Sequence, residues 1–217
     1  MRKKKKQFIV LGLGRFGASL AQHLCRMGHE VLAVDSDERL VSDAAPYVTQ
    51  AVQADATDEA ALAQLGVSGF DAAIVAIGSN TRDSILVTVL CKEAGVPLVI
   101  AKAVDELHAK VLRKVGADRV VFPERDMGQR VARTLDTPNI LELMELSGDY
   151  RIAELLAPEK WCGRTLMDVN VRRNYGLSVI GIRRGDEFIA SPGADMQLDA
   201  GDILLVLGRT KDIEAVD

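Results

Sequence analysis

The hexapeptide Gly12-Leu13-Gly14-Arg15-Phe16-Gly17 decides the fold of this chain of 217 residues. It ends an apolar run, Phe8–Leu13, that is typical of a buried strand, and it opens a helical pattern over residues 16–27. In such a unit the first glycine permits a tight turn, the second lets the backbone approach a diphosphate, and the third lets the helix pack on the strand. The helix start favours an anion, because its N–H groups are free and carry partial positive charge. The spacing therefore predicts a nucleotide-binding turn of the Rossmann type.

Asp35 strengthens this prediction, because it ends the next predicted strand, 18 residues beyond Gly17. A carboxylate at this position accepts hydrogen bonds from both hydroxyls of an adenosine ribose and repels a 2′-phosphate. Unphosphorylated ribose is therefore favoured, as in ATP, ADP or NAD(H). In the alternative interpretation, the glycines form only a tight turn and Asp35 caps the following helix.

Six short apolar runs alternate with helical patterns between Gln7 and Phe122, as in parallel strands joined by crossover helices. The predicted strands are 8–13, 30–35, 50–54, 72–77, 98–101 and 119–122, and the predicted helices are 16–27, 37–45, 58–65, 81–94 and 105–115. This alternation predicts an α/β fold with a Rossmann-like, doubly wound parallel sheet. Ligands of such sheets bind at the carboxyl ends of the strands. Further candidate nucleotide-binding residues follow those ends: Ser36, Asp55, Ala56, Gly78, Ser79, Asn80 and Lys102. Asp55 suits the base or its amino group, although a carboxylate before a helix is also a common cap.

The pattern changes after Pro123, where a helical stretch, Asp126–Leu135, ends in the break Asp136-Thr137-Pro138. We therefore expect two domains, the Rossmann domain over residues 1–137 and a small α+β domain over residues 138–217. The second domain is expected to hold one helix at 166–173 and strands at 178–183, 187–190 and 203–208.

Composition narrows the class of protein. The net charge is −4, and five basic residues are concentrated in Arg2–Lys6, so the rest of the chain is distinctly acidic. A nucleic-acid partner is therefore disfavoured. The basic run is interpreted as a solvated tail, or as a contact with anionic lipid or a partner. No export signal or membrane span is recognised, so we expect a cytoplasmic protein. Cys25, Cys91 and Cys162 are widely spaced, so no disulfide framework is expected. Cys25 and Cys91 lie in predicted helices and are expected to be buried free thiols.

Residues for hydride-transfer catalysis are scarce. The histidines lie away from the predicted strand ends, and no tyrosine is followed by a lysine four residues on. The histidines are His23, His29 and His108, and the tyrosines are Tyr47, Tyr150 and Tyr175. A small NAD-dependent oxidoreductase therefore remains the weaker alternative, as does an assembly module with a vestigial pocket.

Several segments together carry a family resemblance. They are Gly12–Gly17, Asp35, Ala54–Thr57, His108–Lys110, Gly116–Asp118, Pro123–Gly128, Tyr175-Gly176 and Leu198–Val206. With these segments, nearly the whole chain resembles the RCK (TrkA) proteins that regulate potassium conductance. The resemblance implies regulation rather than enzymatic turnover, with ATP or ADP in the Rossmann site controlling a membrane potassium-translocating subunit. It also implies an octameric ring of dimers at the inner face of the cell membrane. The apolar residues Ile85, Leu86, Val89 and Leu90 independently favour an oligomer, because they exceed what one buried helix face needs.

The resemblance also assigns roles to particular residues. Arg15 is expected to face the terminal phosphate, and Glu124 is expected to help hold Mg²⁺ or another cation beside it. A triphosphate at a subunit interface needs such cations, although Arg15 also reads as a solvated helix-start residue and Glu124 as a cap. Some family members bind cyclic di-AMP in the C-terminal domain, through an Asp-Ile-Arg segment and a later Asn. This chain has Asn170-Val171-Arg172 and Ser178 instead, which retains only the arginine.

Overall fold

The computed structural model describes residues 5–137 and 139–216, which form two units, Met1–Arg125 and Asp126–Asp217. The strands of the first unit are β1 Gln7–Leu11, β2 Glu30–Asp35, β3 Gln50–Gln53, β4 Ala72–Val75, β5 Val99–Lys102 and β6 Arg119–Val121. Its helices are α1 Arg15–Arg26, α2 Glu38–Ala44, α3 Glu59–Gln64, α4 Thr81–Glu93 and α5 Glu106–Lys114, and α6 Pro123–Asp136 continues into the second unit. Short 3-10 helices lie at Ala45–Tyr47, Val67–Gly69 and Glu159–Trp161.

The six strands are all parallel, in the order β3-β2-β1-β4-β5-β6. This is the Rossmann order. Successive strands are added toward one edge of the sheet from β1 to β3 and toward the other edge from β4 to β6, so the strand order reverses between β1 and β4. Both faces of the sheet are buried, since Ile9 and Leu11 of β1 belong to one apolar layer and Val10 to the other. The continuous apolar runs in the sequence follow from this double burial.

The predicted strands and helices of the first unit are confirmed, with small differences at their ends. Strand β1 ends at Leu11, because Gly12 takes φ +101° and turns the chain away from the sheet. Helix α6 begins at Pro123, earlier than the predicted start at residue 126. Proline suits a first helical position, because the N–H that it lacks would have no partner inside the helix.

The second unit contains a five-stranded antiparallel sheet in the order β10-β9-β11-β8-β7. Its strands are β7 Ile140–Ser147, β8 Tyr150–Leu156, β9 Ser178–Arg184, β10 Glu187–Ala190 and β11 Ile203–Arg209, and its helices are α7 Leu166–Val169, α8 Val171–Tyr175 and α9 Thr210–Glu214. The predicted single helix at 166–173 is wrong. Asn170 takes φ +49° and breaks it into α7 and α8, a conformation that asparagine tolerates better than most residues.

Three further predictions concern the chain ends, the cysteines and the membrane. Arg2–Lys4 of the basic run and Pro138 of the domain break lie outside the described residues, so the boundary after residue 137 stays a prediction. The three cysteines are free thiols, and of the two predicted to be buried, Cys91 is buried whereas Cys25 is half-buried. Within the described residues, no helix is long and apolar enough to cross a membrane.

Candidate nucleotide-binding site

In the glycine loop, packing requires glycine at two positions, and the third glycine borders open space. A Cβ at Gly17 would lie 1.9 Å from the carbonyl oxygen of Gly12, so only glycine lets α1 pack this closely on the loop. Position 12 requires glycine as well. Its φ is positive, and a Cβ there would lie 3.1 Å from backbone atoms of Ala76 and Ile77. Gly14 has no atom within 4 Å of its Cβ position. The space in front of Gly14 is therefore available to a ligand.

The start of α1 differs from the starts of the next four helices. Asp37, Asp58, Asn80 and Asp105 cap α2, α3, α4 and α5 through their side chains. Gly14 gives α1 no such cap, and the first turn of α1 contains no acidic residue. Its N–H groups and positive dipole are therefore not neutralised by a cap, and they suit an anionic ligand.

A cavity of about 500 Å³ opens at the carboxyl ends of the parallel strands, next to this helix start. It brings together most of the predicted site residues: Gly12, Gly14, Arg15, Phe16, Asp35, Ser36, Asp55, Ala56, Gly78, Ser79, Lys102 and Glu124. Gly17 and Asn80 do not line it, because Gly17 packs under the loop and Asn80 caps α4 while donating to Asp83 Oδ2. Residues that sequence reasoning missed complete the wall: Val34, Leu40, Ala54, Thr57, Ala76, Ile77 and Asp83. Of these, Ala54 and Thr57 belong to the segment Ala54–Thr57 that the sequence analysis names.

Two carboxylates in this wall are held in place by backbone N–H groups. Asp35 Oδ2 accepts a hydrogen bond from Leu13 N at 2.6 Å, and its Oδ1 accepts from Asp37 N at 2.9 Å. Asp55 Oδ1 accepts from both the hydroxyl and the N–H of Thr57, at 2.7 and 2.9 Å. These bonds, the hydroxyl bond above all, lower the pKa of Asp55. A carboxylate has about four acceptor sites, and both side chains line the cavity, so both remain able to accept from ribose or base groups.

Lys102 and Glu124 form an ion pair inside the cavity. Lys102 Nζ lies 2.5 Å from Glu124 Oε1, and the two side chains are 13% and 67% exposed. The hydrogen bond from Lys102 lowers the pKa of Glu124. The ammonium also lies 3.1 Å from the position that a Cβ of Gly78 would take, so a larger residue there would push Lys102 aside.

The wall carries more negative than positive charge. Four carboxylates line it, those of Asp35, Asp55, Asp83 and Glu124, against the cations Arg15 and Lys102. None of His23, His29 and His108 lines the cavity. Among residues 5–137 and 139–216, no three His, Cys, Asp or Glu side chains are grouped closely enough to hold a metal by themselves. A cation at Glu124 would therefore need ligands from a bound molecule, from water or from another copy.

The second unit has its own cavity of about 550 Å³. It is lined by the residues to which the sequence drew attention, namely Asn170, Val171, Arg172 and Ser178, with apolar neighbours such as Leu177. Arg172 is the cation of this wall. The position of these residues on one cavity agrees with a site for an anionic ligand but does not identify it.

Comparison with known proteins decides the family. A TrkA-N domain matches residues 8–123, and a TrkA-C domain matches residues 150–217. The chain is also 45% identical over 213 residues to the Ktr system potassium uptake protein A of Bacillus subtilis (strain 168), covering 98% of this chain and 96% of that protein. The chain belongs to the Ktr potassium uptake family. The resemblance that the sequence motifs indicate is thereby confirmed.

Other relatives agree with membership in the Ktr family. The Ktr system potassium uptake protein A of Vibrio alginolyticus is 41% identical over 208 residues, which cover 96% of this chain and 94% of that protein. Among solved structures, the RCK domain of GsuK superposes with a TM-score of 0.68 at 21% identity, covering all of this chain and 48% of the other. At this identity the superposition shows a shared fold only.

Proposed function

We propose that this protein is the nucleotide-sensing regulatory subunit of a potassium uptake system. The carrying observation is the uncapped, Cβ-free start of α1, which opens into the cavity with Asp35 at the next strand end. Family membership supplies the transport context. The proposed partner is a KtrB-like membrane subunit, and the protein is proposed to act from the cytoplasm, at the inner face of the cell membrane.

The cavity suits an adenine nucleotide in its parts. Gly14 and the α1 start would bind the diphosphate, since free N–H groups and a helix dipole favour anions. Asp35, with Ser36 beside it, would accept from the ribose hydroxyls, and Asp55 with Ala56 would face the base. These groups serve ATP, ADP and NAD(H) alike, so they provide affinity without discrimination.

Discrimination between ATP and ADP is assigned to Arg15 and Glu124. The wall holds four carboxylates and two cations, so a triphosphate adds charge to a site that is already negative. Mg²⁺ or another cation would offset that charge when it accompanies ATP. Glu124 fits a place in its coordination, because the side chain is 67% exposed and Lys102 bonds to only one of its oxygens. Arg15 stands at the first helical position, next to the proposed diphosphate.

The proposed assembly is an octameric ring of dimers, which holds eight copies, by analogy with the family. Leu86 on α4, Val104 just before α5 and Leu107 on α5 are 40, 47 and 72% exposed in the single chain. Burying such side chains between copies would stabilise an oligomer through the hydrophobic effect. Light scattering should report the oligomer, and a monomer with and without nucleotide would contradict it.

The site proposal is tested by titration calorimetry with ATP, ADP and NADH, followed by potassium flux with the membrane subunit in vesicles. We expect binding of at least ATP and ADP, and different flux with each. Absence of all adenine-nucleotide binding would leave only an assembly module. A hydride-transfer assay with NADH addresses the oxidoreductase alternative.

Cyclic di-AMP is the ligand proposed for the second cavity, where Arg172 would contact its phosphates. Calorimetry should detect this binding, and Arg172→Ala should abolish it.

A further inference from the structure

The Lys102–Glu124 ion pair joins two side chains with very different freedom. Lys102 closes strand β5, and its side chain is 13% exposed, whereas the Glu124 side chain is 67% exposed on the first turn of α6. A mostly buried ammonium loses much of its hydration and needs an anionic partner. An exposed carboxylate is rehydrated when the ion pair separates, so breaking the pair costs the carboxylate little free energy. Glu124 is therefore the partner that can be replaced at little cost, and Lys102 is not.

The pair lines the cavity in which the nucleotide phosphates are proposed to bind. Both residues line the same cavity as Gly14 and Arg15, and Lys102 lies against Gly78 at the end of the neighbouring strand β4. A phosphate oxygen carries the charge and the acceptors that the carboxylate of Glu124 now offers to Lys102. The two anions therefore compete for one ammonium.

We infer that Glu124 is a built-in competitor of the nucleotide phosphate for Lys102, so that phosphate binding releases the first turn of α6. The inference rests on the proposed nucleotide site and adds how phosphate binding there changes the contacts of α6. A ligand that replaces Glu124 has unequal affinity for the paired and unpaired states, which is the condition for shifting an equilibrium. Adenosine, which lacks a phosphate, leaves the pair intact.

Release of Glu124 affects a turn that also has a contact at the neighbouring residue. Arg125, the next residue, pairs with Glu106 at 2.5 Å and stacks on Phe122, with Cζ 3.7 Å from the ring centroid. Glu106 does not line the cavity, so this contact is independent of the ligand. The first turn of α6 therefore has a contact that competes with the ligand, at Glu124, and a contact that does not, at Arg125.

Calorimetry in EDTA tests the competition without a metal. Glu124→Gln should tighten ATP binding about three- to tenfold, because the competing charge is gone, and leave adenosine binding unchanged. Lys102→Met should weaken ATP on the order of tenfold, and Lys102→Gln serves if the methionine variant is unstable. In the Lys102→Met background the gain from Glu124→Gln should largely disappear. Asp83→Asn is the matched control, because it removes another cavity carboxylate and its effect should be equal in both backgrounds.

Hydrogen exchange of the peptide spanning α6 provides the second readout. ATP in EDTA should raise the exchange of the first α6 turns in the unmodified protein, and Lys102→Met should raise it without ATP. Glu106→Gln should also raise exchange but leave ATP affinity unchanged. If the unmodified protein binds ATP while Glu124→Gln gives no gain, or ATP leaves α6 exchange unchanged, the competition is wrong and the nucleotide site stands. If no variant binds any adenine nucleotide, the proposed function fails, and the inference fails with it.

Discussion

The carboxylate of Asp35 accepts a 2.6 Å hydrogen bond from the backbone N–H of Leu13, so the end of β2 is tied to the glycine loop that follows β1. Its other oxygen accepts from the N–H of Asp37, at the start of α2. The residue proposed to bind the ribose thus also orders the loop proposed to bind the diphosphate. Both parts of the site are arranged before a ligand arrives, which lowers the entropy cost of binding.

Asp35→Asn should weaken ATP and ADP binding by about 1–3 kcal/mol, because charged hydrogen bonds become neutral and the amide nitrogen cannot accept. Calorimetry measures this loss. The role in the loop and the role at the ribose are separated with 2′,3′-dideoxy-ATP. This ligand should bind the unmodified protein more weakly than ATP, and the difference should shrink in the variant. An undiminished difference would show that Asp35 does not contact the ribose.

Gly17→Ala should reduce stability, whereas Gly14→Ala should reduce ATP binding. The new methyl at position 17 would overlap the carbonyl oxygen of Gly12, so we expect the free energy of unfolding to fall by at least ~1–3 kcal/mol. The methyl at position 14 meets no protein atom within 4 Å, so stability should be unchanged while ATP binding falls about tenfold or more. Thermal unfolding and calorimetry on both variants check this. Normal ATP affinity of a stable Gly14→Ala would place the diphosphate elsewhere.

Arg15→Ala and Glu124→Gln should both retain ADP binding and reduce the ATP-dependent activation of potassium flux. ATP and ADP differ at the terminal phosphate, where we place Arg15 and the cation at Glu124. In the presence of Mg²⁺, Glu124→Gln should also lose the enhancement by divalent cations. Flux through vesicles holding the membrane subunit, with ATP or ADP and with or without Mg²⁺, measures these effects. Full ATP activation with full cation sensitivity in Glu124→Gln would rule out the metal-assisted discrimination.

Asp202 should make the stability of the second unit depend on acid pH. Its carboxylate is 1% exposed and accepts from Arg184 Nε and an Arg184 terminal nitrogen at 2.8 and 2.7 Å, and the Arg184 bonds lower its pKa below 3.8. Since the folded pKa is the lower one, this stabilisation is present above about pH 4 and is lost as the pH falls through the folded pKa. Asp202→Asn should lower the free energy of unfolding at pH 7 by ~1–3 kcal/mol and flatten the acid dependence.

The single tryptophan, Trp161, is fully buried in the second unit, so its fluorescence follows the unfolding of that unit. Asp199→Asn is the matched control, because Asp199 pairs with the same Arg184 at 2.9 Å but its side chain is 54% exposed. We expect a clearly smaller effect from Asp199→Asn. Equal effects of the two variants would contradict the importance of burial at Asp202.

Local patterns in the sequence were sufficient to predict the first unit. The strands are predictable because helices cover both faces of the sheet. Their sequences are therefore nearly continuously apolar, as in the run that ends at Leu11. The second unit is harder to predict, because strands such as β7 are largely exposed and therefore lack the continuous apolar runs of the first unit. The strands Ile140–Ser147 and Tyr150–Leu156 were not assigned, and the helix break at Asn170 depends on one residue in a left-handed conformation.

The sequence by itself determined the α/β class, the glycine loop and the carboxylate at the end of β2, because these depend on spacing along a few neighbouring residues. Only the tertiary structure decided which side chains meet. The pairing of Lys102 with Glu124 joins residues 22 positions apart, and the exposure of the two side chains follows from their positions at the end of β5 and just after β6. Sequence spacing constrains neighbours along one strand or helix, whereas such contacts depend on the order of strands in the sheet.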